Sequence, residues 1–132
     1  MIALAGCGSA DPPRATPTAT PSPTATATAT PKPRRDVPRA HCPAAVAGCK
    51  TTRGTVLYVE RVDPDGDGDL HVVLEDPRSL SLPGITAVDV AVDLRPQRDP
   101  RIGDRVSAAG PLQKGSYGQM QIHAVEFDTR HG

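Results

Sequence analysis

The sequence predicts an all-β fold, a small barrel of five strands that follows a disordered N-terminal linker. Two observations lead to this prediction. Downstream of Thr51 the apolar residues recur with a period of two, which is typical of half-buried strands. Residues 11–40 are instead rich in proline, threonine and alanine, with almost no large apolar side chain. Burial within such a segment cannot offset the entropy of ordering it, so we predict that it is disordered.

The strands are predicted from apolar alternation and from the turn residues between them. The five predicted strands lie at residues 54–59, 70–75, 87–94, 102–111 and 119–127. The Gly-x-Val-x-x-Val spacing of the first predicts a bulged, curved strand. In the second, Leu70, Val72 and Leu74 share one face, and in the third the alternation continues through Val92 to Leu94. A helical turn is predicted only within residues 95–101.

Five strands, with a curved first strand and a break after the third, are typical of a small OB-type barrel. A β-sandwich and an SH3-like barrel are the alternatives. A pattern of Gly-Asp-x-His, Gly-Asp-Arg-Val and Ile-His-x-Val resembles an OB-fold-like family of exported bacterial proteins. It lies at residues 67–74, at residues 102–106 with Gly110-Pro111, and at residues 121–125, and the resemblance spans roughly residues 51–127. That family has no established enzymatic activity, so the resemblance implies no catalytic role for this chain.

The N-terminal part of the chain is basic and the remainder is acidic. Up to Ala40 there are five basic residues against two acidic ones, a net charge of +3, whereas the rest carries ten against thirteen, a net charge of −3. A domain that binds phosphates usually has the opposite sign, and three aromatic residues offer little surface for stacking bases. Nucleic acid is therefore not expected as a partner.

The first seven residues of the chain end with Leu4-Ala5-Gly6-Cys7, a sequence that resembles the lipobox of bacterial lipoproteins. In that family the cysteine is acylated and becomes the new N-terminus after cleavage. A signal peptide also needs a basic start and an apolar stretch of about 7–15 residues, so we expect residues 1–7 to be the end of a longer signal. The resemblance implies a lipid anchor at Cys7 on the outer face of the bacterial cytoplasmic membrane. A chance match in an alanine-rich sequence is the alternative.

With residues 1–7 as the signal, residues 8–40 form the linker and residues 41–132 form the domain. A proline-rich linker is extended and would act as a semi-rigid stalk. At its end lie Cys42 and Cys49, and an isolated close pair in an exported protein most often forms a disulfide. Zinc with His41 as a third ligand is the alternative, but structural zinc sites usually have four ligands. We predict a disulfide that fastens the stalk to the domain.

The segment DPDGDGD, residues 63–69, is the closest match to a metal site. Its residues at positions 1, 3, 5 and 6 agree with those of an EF-hand calcium loop. Position 12 should be a glutamate, however, and is Leu74. The segment is also flanked by predicted strands, whereas an EF-hand loop is flanked by helices. We therefore interpret it as a solvated hairpin turn. The alternative is a weak calcium site, so no cofactor is expected other than this calcium ion. Its candidate ligands would be Asp63, Asp65, Asp67 and Asp69.

His71 and His123 are candidate site residues because both lie in segments that carry the family resemblance. With Asp69 or Glu75 they could form a metal or acid–base cluster if the barrel brings them together. The alternative is that each bonds only to a neighbouring strand. The sequence lacks Gly-x-Ser-x-Gly, phosphate-loop and His-Glu-x-x-His motifs, so we predict no catalytic residues and no enzyme.

Together these observations predict a cell-envelope lipoprotein that presents a non-catalytic OB-like module on a stalk. Its expected partners are the membrane, through the lipid, and an envelope protein or a small ligand. The alternatives are an extracytoplasmic calcium-binding module and an OB-fold nucleic-acid binder.

Overall fold

The computed structural model describes residues 13, 36–63 and 66–132. Apart from Pro13, the predicted signal and the stalk up to residue 35 lie outside the described residues, as do Pro64 and Asp65. The described residues form no helix long and apolar enough to cross a membrane. They form six strands, which are β1 (Cys49–Val59), β2 (Leu70–Glu75), β3 (Ile85–Val90), β4 (Arg105–Lys114), β5 (Met120–His123) and β6 (Glu126–Arg130).

The strands close into a ring in the order β1-β2-β3-β5-β4, and β4 pairs back onto β1. All pairs are antiparallel except β3 with β5. The sixth strand, β6, pairs with the N-terminal half of β4. The ring of five strands in this order confirms the predicted OB-like barrel.

The core is formed by the inward-facing side chains of the ring. Leu70, Val72 and Leu74 are buried on one face of β2, as the alternation predicted. The other fully buried apolar residues of the core cluster come from four more strands: Val56, Val88, Val90, Val106, Ala108 and Ile122.

The predicted bulge in β1 is confirmed, because the pairing with β2 shifts between Val56 and Tyr58. The shift turns two consecutive side chains, Leu57 and Tyr58, toward solvent. Gly54, just before the bulge, lies against the carbonyl of Glu75, and a Cβ there would collide with it. The glycine therefore allows β1 to bend closely over β2.

The third and fifth strands differ from their predicted lengths. β3 ends at Val90, because the carbonyl of Ala91 accepts hydrogen bonds from the amides of Leu94 and Arg95 and so closes a turn. Val92, which alternation placed in the core, is 61% exposed. Residues 95–101 form no helical turn.

The predicted fifth strand is divided into β5 and β6 at Ala124 and Val125. The amide of Ala124 donates to Asp89 of β3, whereas that of Val125 donates to Ala109 of β4. The strand divides here because it leaves β3 and continues along β4 alone.

Residues 36–42 lie along the outer face of β1, β4 and β6, and we call this segment the strap. The Asp36 carboxylate lies 2.9 Å from the Arg53 guanidinium of β1, and the amide of Ala40 donates to the Ser107 hydroxyl of β4 at 2.8 Å. Within the strap, the side chain of Val37 is buried. Residues 36–40 fall in the range that the sequence assigned to the linker, and the structure places them on the barrel.

The predicted disulfide between Cys42 and Cys49 is confirmed, with the two Cα atoms 5.7 Å apart. Cys42 ends the strap and Cys49 begins β1. The bond therefore fastens the strap to the barrel at the point where the chain enters its first strand.

Candidate functional site

Four polar side chains form a row across the outer face of β1, β2, β3 and β5. His71 is paired with Asp89, and Asp89 is paired with His123. Glu60, directly after β1, joins at the other end because its amide donates to the carbonyl of His71 at 2.9 Å. In a strand successive side chains point to opposite faces. His71, Asp89 and His123 each follow a core residue of their strand, namely Leu70, Val88 and Ile122, and therefore point outward. We call Glu60, His71, Asp89 and His123 the polar row.

Carboxylates and imidazoles alternate along the polar row. His71 Nδ1 lies 3.6 Å from a carboxylate oxygen of Glu60, and His71 Nε2 lies 3.3 Å from Oδ1 of Asp89. On the other side of Asp89, His123 Nδ1 lies 2.9 Å from Oδ2. One carboxylate thus has an imidazole on each side, and each imidazole comes from a different strand.

Asp89 is the least solvated member of the row, with only 8% of its side chain exposed. Its Oδ2 faces His123 and also accepts a hydrogen bond from the Gln113 amide at 3.4 Å. Its Oδ1 is buried and has no hydrogen-bond partner, because His71 Nε2 is near enough for an ion pair but is not in hydrogen-bond geometry. A buried carboxylate oxygen without a partner is costly, and such groups are uncommon in folded proteins.

The structure therefore brings the two predicted histidines together, but through a residue that the sequence analysis did not select. Glu75 lies four residues along β2 from His71, at the end of the strand and exposed. Asp69 lies just before β2, and its carboxylate accepts a hydrogen bond from the amide of Val92 at 3.0 Å. Burial raises the pKa of Asp69, and the neighbouring charges of Asp67 and Asp89 raise it further. Only the strand register could have identified Asp89.

The acidic segment at residues 63–69 folds back on its own backbone. The two carboxylate oxygens of Asp63 accept hydrogen bonds from the amides of Gly66 and Gly68, at 2.8 and 2.9 Å. The Asp67 carboxylate accepts one from the amide of Asp69 at 3.0 Å. Such side-chain to backbone bonds are typical of Asx turns. Asp65, the fourth predicted ligand, lies outside the described residues.

The two glycines of this segment have left-handed backbones, with φ of 74° at Gly66 and 82° at Gly68. Arg95 also reaches the segment, since its guanidinium donates to the carbonyl of Gly68 at 2.7 Å. These contacts are those of a hairpin connection, the interpretation that the sequence favoured. No three His, Cys, Asp or Glu side chains among residues 36–63 and 66–132 are arranged to hold a metal ion.

If the segment is a turn, replacing Asp65 and Asp67 together with asparagine will change the free energy of unfolding by less than about 0.5 kcal/mol, because asparagine accepts the same turn geometry. Millimolar calcium will then leave the thermal midpoint unchanged. A calcium site would instead stabilise the native protein by about 2.7 kcal/mol at a hundred times Kd. Calcium-dependent stabilisation that disappears in the double variant would contradict the turn interpretation, and thermal unfolding with calcium or with EDTA measures it.

A second imidazole–carboxylate pair lies at the C-terminus, where His131 Nδ1 is 2.6 Å from Oδ2 of Asp104. Here both carboxylate oxygens have partners, because the amides of Arg101 and Gly132 donate to Oδ2 and Oδ1. Burial alone would raise the pKa of Asp104, but the hydrogen bonds from Arg101, His131 and Gly132 together lower it. This pair serves as an internal reference for the polar row.

Comparison with known proteins gives a structural match and no sequence match. No protein-family model and no curated protein matches the chain. The barrel is similar to the dimeric N-terminal domain of the PriB protein from Thermoanaerobacter tencongensis, with a TM-score of 0.50 and 18% sequence identity. The match covers 64% of this chain and 98% of that one. The likeness is one of fold. It supports the OB-like barrel and transfers no ligand to this chain.

Proposed function

We propose that this chain is a cell-envelope lipoprotein that presents its OB-like barrel as a non-catalytic binding module on a stalk. The observation that carries the proposal is the disulfide between Cys42 and Cys49. Disulfides persist in oxidising compartments outside the cytoplasm and are rare within it. The lipobox-like Leu4-Ala5-Gly6-Cys7 and the proline-rich segment that follows it support attachment of the exported barrel to a membrane.

The strap favours one side of the barrel as the binding surface. It occupies the outer face of β1, β4 and β6 through its contacts with Arg53, Ser107 and Glu126. The face of β2, β3 and β5 carries the polar row, and beside the row lie the half-buried side chains of Val73 and Ala87. Carboxylates next to small apolar groups suit an envelope protein or a small ligand with a cationic group.

The same face argues against the nucleic-acid alternative. Its two row carboxylates repel phosphates, and single-strand binders combine a basic groove with stacking aromatic side chains. Retention of labelled single-stranded DNA on a filter at low salt would favour that alternative over ours.

The anchoring proposal predicts the result of replacing Cys7 with serine. Expressed behind a complete lipoprotein signal peptide, the native chain will partition into detergent and increase in mass by its acyl chains. The Cys7→Ser chain will remain unacylated and will be recovered in the soluble fraction, because a serine hydroxyl cannot take the place of the acylated thiol. Mass spectrometry and detergent partitioning measure both outcomes.

A Cys42→Ser/Cys49→Ser chain is the matched control, since it loses two cysteines but keeps the lipobox. It will remain acylated and membrane-associated. A Cys7→Ser chain that still fractionates with membranes would contradict the anchoring proposal.

A further inference from the structure

We propose that the polar row binds one divalent transition-metal ion, with Nε2 of His71 and Oδ1 of Asp89 as its two protein ligands. The starting observation is the Asp89 carboxylate, which is more than nine-tenths buried and whose Oδ1 has no hydrogen-bond partner. A bound cation would supply the missing partner for this oxygen.

The separation of the two donor atoms suits a shared ion. Zinc lies about 2.0–2.2 Å from nitrogen and oxygen ligands, so two ligands at a tetrahedral angle are about 3.4 Å apart. His71 Nε2 and Asp89 Oδ1 are 3.3 Å apart. A direct hydrogen bond between them would need an aligned donor and normally a shorter distance.

The groups around the two ligands match the surroundings of metal sites. A metal-bound histidine usually directs its other ring nitrogen toward a carboxylate, and a metal-bound carboxylate is itself hydrogen-bonded. His71 Nδ1 faces Glu60 at 3.6 Å, and Oδ2 of Asp89 is held by His123 at 2.9 Å and by Gln113 at 3.4 Å. Glu60, His123 and Gln113 are therefore positioning residues that orient the two ligands.

His71 places one ligand of the site at the surface, since its side chain is 34% exposed, whereas Oδ1 of Asp89 is buried. Water can therefore enter and complete the coordination. Since the described residues supply no third protein ligand, the ion would be exchangeable. One nitrogen and one oxygen donor favour zinc, nickel or copper over calcium and magnesium, which prefer oxygen ligands alone.

The pair formed by His131 and Asp104 shows why proximity of an imidazole and a carboxylate is insufficient. There the nitrogen and the oxygen are 2.6 Å apart, and backbone amides donate to both carboxylate oxygens. Neither carboxylate oxygen of Asp104 lacks a partner that a cation would supply, so this pair is not expected to bind zinc. His131→Gln is therefore the matched control for His71→Gln.

The experiment uses the full chain in a Cys7→Ser background, so that a free thiol cannot bind the metal. Metal-free protein is titrated with zinc chloride by calorimetry, and thermal unfolding is followed with zinc, with calcium and with zinc plus EDTA. We expect one zinc ion per chain and a rise in the unfolding midpoint that EDTA reverses. Calcium will not reproduce the rise.

His71→Gln and Asp89→Asn are expected to lose the zinc-dependent rise, whereas His131→Gln keeps it. Glu60→Gln, which alters only a positioning residue, is expected to weaken zinc binding about tenfold to a hundredfold. Because His71 is half-buried at the surface, His71→Gln will fold even if Asp89→Asn does not. Equal zinc binding by the native chain and by His71→Gln, or no zinc binding by the native chain, would overturn the proposal. Neither outcome depends on the anchoring at Cys7.

Discussion

Replacing Gly110 with alanine is expected to destabilise the barrel by about 3 kcal/mol, the upper end of the usual cost of forcing extra atoms into a filled site. Gly110 lies in β4 opposite Lys50 of β1, at the point where β4 passes from β6 to β5. An added Cβ would collide with the carbonyl oxygen of His123. That obstacle is backbone, so a change of rotamer cannot relieve the collision. The end of β5 would have to move away from β4, and His123 with it.

Urea unfolding of the Gly110→Ala chain measures the loss, and Gly118→Ala is the control. Gly118 has a left-handed backbone, with φ of 82°, but a Cβ there would meet no atom within 4 Å. Alanine at Gly118 should therefore cost only about 1–2 kcal/mol, the cost of a left-handed residue. A Gly110→Ala chain no less stable than Gly118→Ala would show that β4 and β5 do not approach so closely.

The strands could be predicted from sequence wherever one face is buried and the other is not. Leu70, Val72 and Leu74 follow the period of two because β2 has a core face and an outer face. The same pattern was misleading at Val92, since alternation continues in the sequence after the chain has lost its partner strand and turned at Ala91. Periodicity reports which side chains are apolar, but not where pairing stops.

The candidate site could be predicted only in part, for a related reason. His71 and His123 were selected as residue types with chemistry, but the residue that joins them is Asp89. In the sequence Asp89 lies between Val88 and Val90, and this alternation of apolar and polar residues is the pattern expected of an aspartate that faces solvent. Two histidines cover Asp89. His71 comes from the preceding strand, and His123 lies 34 residues further along the chain and becomes a neighbour through the parallel pairing of β3 with β5. Such a contact is decided by register and topology, which alternation leaves open.

Another buried carboxylate that the sequence analysis did not select is that of Asp76, which follows β2 directly. Asp76 is only 1% exposed. Its Oδ2 accepts hydrogen bonds from the hydroxyls of Thr52 at 2.6 Å and Thr86 at 2.7 Å, and its Oδ1 accepts one from the amide of Arg78 at 3.0 Å. One side chain therefore joins β1, β3 and the turn after β2.

Replacing Asp76 with alanine is expected to cost about 3–5 kcal/mol, because each buried donor left without an acceptor costs about 1–3 kcal/mol. The hydroxyls of Thr52 and Thr86 are both buried, so water cannot readily replace the lost carboxylate. A loss of this size is a large fraction of the 5–15 kcal/mol that is typical of small domains. Urea unfolding of the oxidised protein measures it.

Thr52→Val is the control for this prediction, since it removes one of the three donors and keeps the carboxylate bonded to the other two. It should cost only about 1 kcal/mol, the typical net value of one hydrogen bond. If the carboxylate joins the strands as described, the loss in Asp76→Ala must also exceed the loss in Thr52→Val in the same titration. Equal losses in the two variants would mean that Asp76 contributes one replaceable bond. A larger loss in Asp76→Ala would show that the end of β2 is held to β1 and β3 through this single buried group.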